Sequence, residues 1–207
     1  MKKKIAIFAS GSGTNAEKIM SHFQDHELGE VALVLSNKPD AFVLERARKF
    51  NVPAHVFDRE RFYNSTEILD LMIDAGISLI VLAGFLWLVP ADLIRAFPNR
   101  MINIHPALLP KYGGKGMYGR YVHEAVINNK EKESGISIHY VNEVYDDGKI
   151  IRQEKCEVKP DDTPESLAQR IHLLEHRYYP LVIEELLQGL DWPPGSLNRE
   201  KKSDPAP

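Results

Sequence analysis

The sequence predicts an α/β protein with a doubly wound, mostly parallel sheet, followed by a C-terminal antiparallel strand pair and a long helix. Over the first hundred residues, short apolar runs typical of buried strands alternate with segments of helical periodicity. A glycine-rich loop joins the first of these runs to the first helical segment. Two strand-like segments separated by a short turn then precede a long amphipathic segment.

The predicted parallel strands are short runs dominated by aliphatic side chains. Residues 77–83 are the clearest case, because an almost continuously apolar run fits a strand that is buried on both faces. Pro106 cannot donate to a sheet ladder, so we expect the last of these strands to end before it and to leave His105 at the strand end. The predicted strands cover residues 4–9, 31–35, 53–56, 77–83 and 101–104.

The helices between these strands are indicated by apolar residues three or four apart and by residues that begin or end helices. Asp40 is placed to cap the second helix, and Gly76 to end the third. The predicted helices cover residues 16–20, 41–50, 65–75, 90–97 and 121–128.

The C-terminal part of the chain predicts a different arrangement. Residues 136–141 and 149–158 are expected to form strands, and the turn at residues 145–148 would make them antiparallel neighbours. The pattern over residues 165–187 predicts a long amphipathic helix with an irregularity at Pro180.

Composition and charge exclude several classes of protein. With 207 residues, 43% of them hydrophobic, we expect one domain over residues 1–190 and a loosely ordered tail over residues 191–207. The net charge of -3 and the scattered basic residues give no reason to expect nucleic-acid binding. Cys156 is the only cysteine, which excludes an intramolecular disulfide and favours the cytoplasm. No apolar run approaches the length of a membrane span.

The first glycine-rich loop is a candidate phosphate site. Residues 10–15 follow a strand and open a helix, so backbone N–H groups would point to a common anion position. Residues 11–16 fit the pattern of dinucleotide-binding loops, but residues 36–38 end the second strand without the acidic residue of that class. A mononucleotide or sugar phosphate therefore fits better than NAD, and a plain strand-to-helix turn is the alternative.

The end of the fifth strand is a candidate catalytic site. Asn103 and His105 are two residues apart and project from one face, so an amide and a titratable ring meet there. Taken alone, a histidine at the end of a strand is more often structural than catalytic. Asp146 would raise the pKa of His105 if it lay nearby, but an aspartate just before Gly148 is also common in turns.

The pattern Asn-x-His-Pro-x-Leu-Leu-Pro at residues 103–110 resembles the signature of folate-dependent formyltransferases, which use 10-formyltetrahydrofolate. The resemblance extends from residue 5 to about residue 187, and its flanks point to the members that formylate glycinamide ribonucleotide in purine biosynthesis. The similar flanking segments are residues 10–15, 36–38, 45–47, 82–85, 135–139 and 175–182. Related enzymes with extra domains, which act on methionyl-tRNA or hydrolyse formyltetrahydrofolate, are disfavoured by the expected single domain.

This resemblance implies a Rossmann-like fold in which residues 1–100 hold the phosphate and residues 101–190 hold the folate and the catalytic groups. The implied catalytic residues are Asn103, His105 and Asp146. The implied ribonucleotide contacts are Gly13, Thr14, Asn15 and Glu175. The implied folate contacts are Arg61, Leu86, Trp87, Leu88, Val89, Asn103 and Asn142.

The implied reaction is attack of the neutral glycinamide amine on the formyl carbon, which creates an oxyanion. Asn103 and a protonated His105 would donate to that oxygen. Asp146 would hold His105 charged and accept or pass the amine proton through water. His139 and Ser137 are expected to support these residues rather than to react, and neither a metal nor a cysteine nucleophile is expected.

Three departures from the family pattern concern the cavity walls. Trp87 replaces a common arginine, the loop at residues 113–119 is longer than usual, and Asp147 replaces a common glycine beside Asp146. Two other functions stay open from the sequence, namely a non-catalytic nucleotide-binding module and a sibling formyltransferase or hydrolase with another acceptor. The expected assembly is a monomer or a homodimer.

Overall fold

The computed structural model describes residues 2–190, which form one seven-stranded sheet with helices packed around it. The strands are β1 (Lys3–Phe8), β2 (Gly29–Ser36), β3 (Ala54–Val56), β4 (Ile77–Leu82), β5 (Met101–His105), β6 (Glu133–Tyr140) and β7 (Ile150–Glu157). The helices are α1 (Thr14–His22), α2 (Val43–Lys49), α3 (Arg59–Tyr63), α4 (Glu67–Asp74), α5 (Ala91–Ala96), α6 (Arg120–Asn128) and α7 (Pro164–Gly189). The predicted tail lies outside the described residues.

The strand order is β3-β2-β1-β4-β5-β6-β7. The strands from β3 to β5 are parallel, and β6 runs antiparallel to both of its neighbours. The predicted fold class is therefore confirmed. The chain order reverses between β1 and β4, and in doubly wound sheets ligands bind outside the carboxyl ends of the strands at such a switch point.

The central strands are buried on both faces, as their apolar runs predict. Alternate residues of β1 contribute to two separate apolar clusters, with Ile5 and Ile7 in one and Ala6 and Phe8 in the other. Because successive side chains of a strand point to opposite faces, the two clusters cover the two sides of the sheet.

One local prediction needs correction, and one helix was missed. Asp40 does not cap α2, because residues 38–41 form a turn and the helix begins only after Phe42, which makes no capping bond. The helix α3 was not predicted, although Asp58 caps it by accepting a hydrogen bond of 2.9 Å from the backbone N–H of Arg61. The helix α7 runs as a single helix through Pro180, so the irregularity predicted at this residue does not end the helix.

The hydroxyl of Tyr179 connects α7 to the strand ends that lead into the switch point. It donates to the carbonyl oxygen of Leu82 at 2.9 Å and lies 3.3 Å from that of Ile102. The side chain is completely buried. Tyr179 therefore bridges the last residues of β4 and the residue before Asn103 in β5. Among residues 2–190, no helix is both long and apolar enough to cross a membrane.

Candidate active site

A cavity of about 580 Å³ lies at the carboxyl ends of β1, β4 and β5. Its walls come from the first glycine-rich loop, residues 82–89, the end of β5, residues 114–119, the turn before β7, and one face each of α6 and α7. The volume is within the range of sites for small organic ligands. The two candidate sites of the sequence thus belong to one cavity.

The structure brings the three predicted catalytic residues into contact. His105 Nδ1 lies 3.4 Å from Asp146 Oδ2, and the Asn103 amide lies 3.4 Å from Asp146 Oδ1. This contact arises because β6 returns alongside β5, pairing Asn103 with His139. The turn after β6 then places Asp146 over the strand end.

Asp146 is held by the loop that closes one side of the cavity. The backbone N–H of Gly114 donates to Asp146 Oδ2 at 2.9 Å, and Asp146 has a φ of 54°. Aspartate is one of the few residues that tolerate this left-handed conformation. Burial raises the pKa of Asp146, but His139, His105 and the Gly114 N–H together outweigh burial and lower it. Asp146 is therefore a carboxylate at neutral pH.

The ring of His105 is almost completely buried, and burial is the main reason why its pKa is lowered. Asp146 and the carbonyl of Tyr112 raise the pKa of His105, but their combined effect is smaller than that of burial. The expectation that Asp146 keeps His105 charged is therefore wrong for the ligand-free protein. The Nε2–H donates to Tyr112 O at 2.7 Å, so in the neutral ring Nδ1 is free to take up a proton beside Asp146.

His139 determines how the Asn103 amide is oriented. The carbonyl of Tyr140 lies 2.8 Å from His139 Nδ1 and must accept its proton, so the neutral ring offers Nε2 as an acceptor. Asn103 Nδ2 donates to that Nε2 at 3.2 Å and, over a longer distance, to Asp146. A formyl oxygen would have to displace Asp146 from the Asn103 amide in order to accept a hydrogen bond from that amide.

The predicted ribonucleotide residues line the same cavity. The Asn15 amide donates to Glu175 Oε2 at 2.9 Å, and burial raises the pKa of Glu175. Gly13 has a φ of 72°, and a Cβ there would lie 2.5 Å from the side chain of Val43. The close approach of α2 therefore requires glycine at this position.

The predicted folate residues are divided between the cavity and a second surface depression. Residues 86–89 and Asn142 line the cavity. Arg61 does not line it, because α3 directs its side chain towards Glu67, 3.6 Å away, in a depression on the other side of Trp87. The guanidinium of Arg59 instead lies 4.8 Å from the centre of the Trp87 ring.

Comparison with known proteins identifies the family. A family model described as formyl transferase matches residues 3–183. The chain belongs to the formyl transferase family. A phosphoribosylglycinamide formyltransferase of Bacillus subtilis is 38% identical over 190 residues, which cover 89% of this chain and 95% of the relative. A chloroplastic phosphoribosylglycinamide formyltransferase of Arabidopsis thaliana is 43% identical over 188 residues, which cover 88% of this chain and 64% of the relative's length.

Solved structures agree with this assignment. The phosphoribosylglycinamide formyltransferase of Bacillus halodurans superposes with a TM-score of 0.80 at 39% identity, covering 89% of this chain and 95% of that structure. Glycinamide ribonucleotide transformylase 1 of Symbiobacterium toebii gives a TM-score of 0.83 at 35% identity, with 91% and 89% covered. The predicted resemblance is confirmed for the family and for its phosphoribosylglycinamide formyltransferase group, and the chain is a formyltransferase.

The cavity of this formyl transferase has further polar residues that sequence reasoning did not assign. His123 of α6 and His172 of α7 line it, as do Lys115 and Tyr118 of the long loop. The two histidines lie on predicted helices. The only sequence signal for a role in the cavity is their position beside the apolar face of each helix. Arg46 was also not assigned a role. Its Nε donates to Ser12 O at 2.8 Å and so stabilises the glycine-rich loop.

Ser137 supports the segment after His105 in this formyl transferase, as expected. Its hydroxyl donates to Ala107 O at 2.7 Å and accepts from the Leu109 N–H at 2.9 Å. The Gln153 amide also donates to this hydroxyl, at 2.8 Å. Ser137 is fully buried and thereby holds the proline-containing turn against β6.

One group of side chains with potential metal ligands lies elsewhere in the described part of this formyl transferase. His22, His26 and Glu184 have ligand atoms within 4.8 Å of one another. The Leu28 N–H donates to His26 Nδ1, so the ring proton of neutral His26 is on Nε2, facing Glu184. His22 Nε2 lies 2.9 Å from the same carboxylate. These contacts describe a hydrogen-bonded cluster between α1 and α7.

Proposed function

We propose that this formyl transferase moves the formyl group of 10-formyltetrahydrofolate to the amine of glycinamide ribonucleotide. The products are formylglycinamide ribonucleotide and tetrahydrofolate, in purine biosynthesis. The observation that carries the proposal is the contact of Asn103, His105 and Asp146 in the wall of a cavity that also contains the glycine-rich loop. The names of the relatives support the same substrates.

The ribonucleotide phosphate is assigned to the loop at Gly13, Thr14 and Asn15. These residues line the cavity at the start of α1, where backbone N–H groups lack helical partners and the helix dipole favours an anion. Glu175 lines the same cavity and is suited to a sugar hydroxyl, because its carboxyl oxygens can accept a hydrogen bond from that hydroxyl.

The folate is assigned to the end of the cavity formed by residues 86–89, Asn142 and the turn that carries Asp146. The aromatic side chain of Trp87 and the neighbouring aliphatic residues offer an apolar surface for a flat ring. Arg61 would take no part in binding the ring in this arrangement, since it lies in the depression beyond Trp87.

The reaction requires one proton to leave the attacking amine and one to reach the departing folate nitrogen. Neutral His105 can take the first proton at Nδ1, directly or through water, because Asp146 stabilises the imidazolium at that nitrogen. The cation then favours the oxyanion on the tetrahedral carbon, together with the Asn103 amide. The same proton is available for the folate nitrogen when the carbon–nitrogen bond breaks, which restores neutral His105.

Several broader assignments accompany this proposal. We place the enzyme in the cytoplasm, which its single cysteine supports, as a monomer or homodimer that uses no metal. Residues 1–100 would provide the phosphate site and residues 101–190 the catalytic groups. Residues 86–89 line the cavity as well, so the folate end would draw on both halves.

The test mixes the purified protein with 10-formyltetrahydrofolate and glycinamide ribonucleotide and follows the folate absorbance. We expect tetrahydrofolate to form only when both substrates are present. Consumption of the folate without the ribonucleotide would indicate a hydrolase. Binding of the ribonucleotide without any turnover would indicate a non-catalytic module.

A further inference from the structure

His123 is a buried polar side chain in the wall of the cavity. It lies on α6 and is 2% exposed. Its Nδ1 has no hydrogen-bond partner among the described residues. Buried polar atoms without partners are rare in folded proteins, and one in a cavity wall is a candidate for pairing with a ligand.

His123 lies near the catalytic residues and near the helix that contacts the glycine-rich loop. His105 and His172 both act electrostatically on its ring, so it lies within range of the reaction centre and of α7. Glu175, one turn after His172, bonds to Asn15 of the glycine-rich loop. His123, His172 and Glu175 therefore line the same cavity as the catalytic residues and the proposed phosphate loop.

The charge of His123 indicates which chemical group it could bind. Burial, with help from His172 and His105, lowers the pKa of His123 to about 4, so the ring is neutral at pH 7. A neutral imidazole offers one donor and one acceptor. A neutral His123 is therefore suited to bind a hydroxyl or an amide group. It carries no positive charge that would favour a phosphate.

We propose that Nδ1 of His123 forms a hydrogen bond with the uncharged middle of the acceptor, the ribosyl-amide portion between the phosphate and the amine. This inference rests on the proposed function. The acceptor has to extend from the glycine-rich loop to His105, and His123, with its unpaired and buried Nδ1, lines the cavity that contains both. Binding would pair an atom whose burial is otherwise uncompensated.

The test uses His123→Leu, which keeps an apolar body of similar size and removes both ring nitrogens. We expect glycinamide ribonucleotide to bind about ten-fold more weakly in calorimetry without folate, the size of one hydrogen bond. The KM for 10-formyltetrahydrofolate should stay unchanged. The melting temperature of the ligand-free variant should stay equal or rise, because an unpaired buried atom has been removed.

Two further variants identify the atom. In His123→Asn the amide falls near the position of Nδ1, whereas in His123→Gln it falls near Nε2. Asn should therefore restore most of the ribonucleotide affinity, and Gln should not. His176→Leu is the matched control, because His176 also carries an unpaired ring nitrogen but does not line the cavity.

Unchanged ribonucleotide affinity in His123→Leu would overturn the inference and leave Nδ1 to an ordered water molecule. Equal losses for both substrates with a lower melting temperature would also overturn it, in favour of a structural role. Should the Leu variant fail to fold, equal affinities of the Asn and Gln variants would decide against the inference. If the wild type neither binds nor formylates glycinamide ribonucleotide, the proposed function itself has failed.

Discussion

Asp146→Asn is expected to lower the turnover number by two to three orders of magnitude. The carboxylate lies 3.4 Å from His105 Nδ1, and at an effective dielectric constant of about 20 two unit charges at that distance attract by about 5 kcal/mol. The variant keeps an oxygen that can accept from the Gly114 N–H, so part of the local order remains. We expect about 3 to 4 kcal/mol of the stabilisation of imidazolium to be lost from the transition state.

The assay measures formyl transfer at saturating substrates and then the KM of each substrate. Because His105 is neutral before the reaction, the loss should appear in kcat and much less in KM. Asp147→Asn is the matched control, since it retains an acceptor for the Asn142 amide and should keep turnover within a few-fold of the wild type. Near-wild-type turnover of Asp146→Asn, with its melting temperature unchanged, would refute the proposed role of the carboxylate.

Three further outcomes follow from the structure. Gly13→Ala should lower the melting temperature and raise the KM for the ribonucleotide, because its Cβ would lie 2.5 Å from Val43 at a φ of 72°. Tyr179→Phe should cost about 1 to 3 kcal/mol in denaturant unfolding, because it leaves a buried carbonyl oxygen without its donor. The pKa of His123 is lowered to about 4 in the folded protein, so as the pH falls its ring is protonated in the unfolded chain before it is protonated in the folded one. Stability should therefore decrease by about 3 kcal/mol between about pH 6.5 and 4, and His123→Leu should reduce that slope in denaturant titrations.

The sequence was sufficient for the central strands because burial on both faces leaves a direct signal. The run at residues 77–83 contains β4, all of whose residues are buried. The helix α3 has five residues, too few for an apolar period, so only the capping Asp58 could have indicated it. Asp40 has the right chemistry for a cap but lies in a turn, which only the packing of α2 against the glycine-rich loop determines.

The candidate site was predictable as a set of residues but not as an arrangement. Asn103 and His105 follow from strand periodicity, whereas the position of Asp146 depends on β6 pairing antiparallel to β5. Long-range pairing of that kind leaves no local signal. The same reason explains Arg61, whose direction is determined by the orientation of α3 and by Glu67 rather than by any pattern around it.

The central claim is that Asp146, His105 and Asn103 perform formyl transfer to a ribonucleotide amine in this cavity. The most direct measurement follows a carbon-13 formyl label from 10-formyltetrahydrofolate by NMR. We predict that the wild type places the label on the amine of glycinamide ribonucleotide and that Asp146→Asn does so only after a far longer time. Release of the label as free formate, or equal rates in the two proteins, would contradict the account.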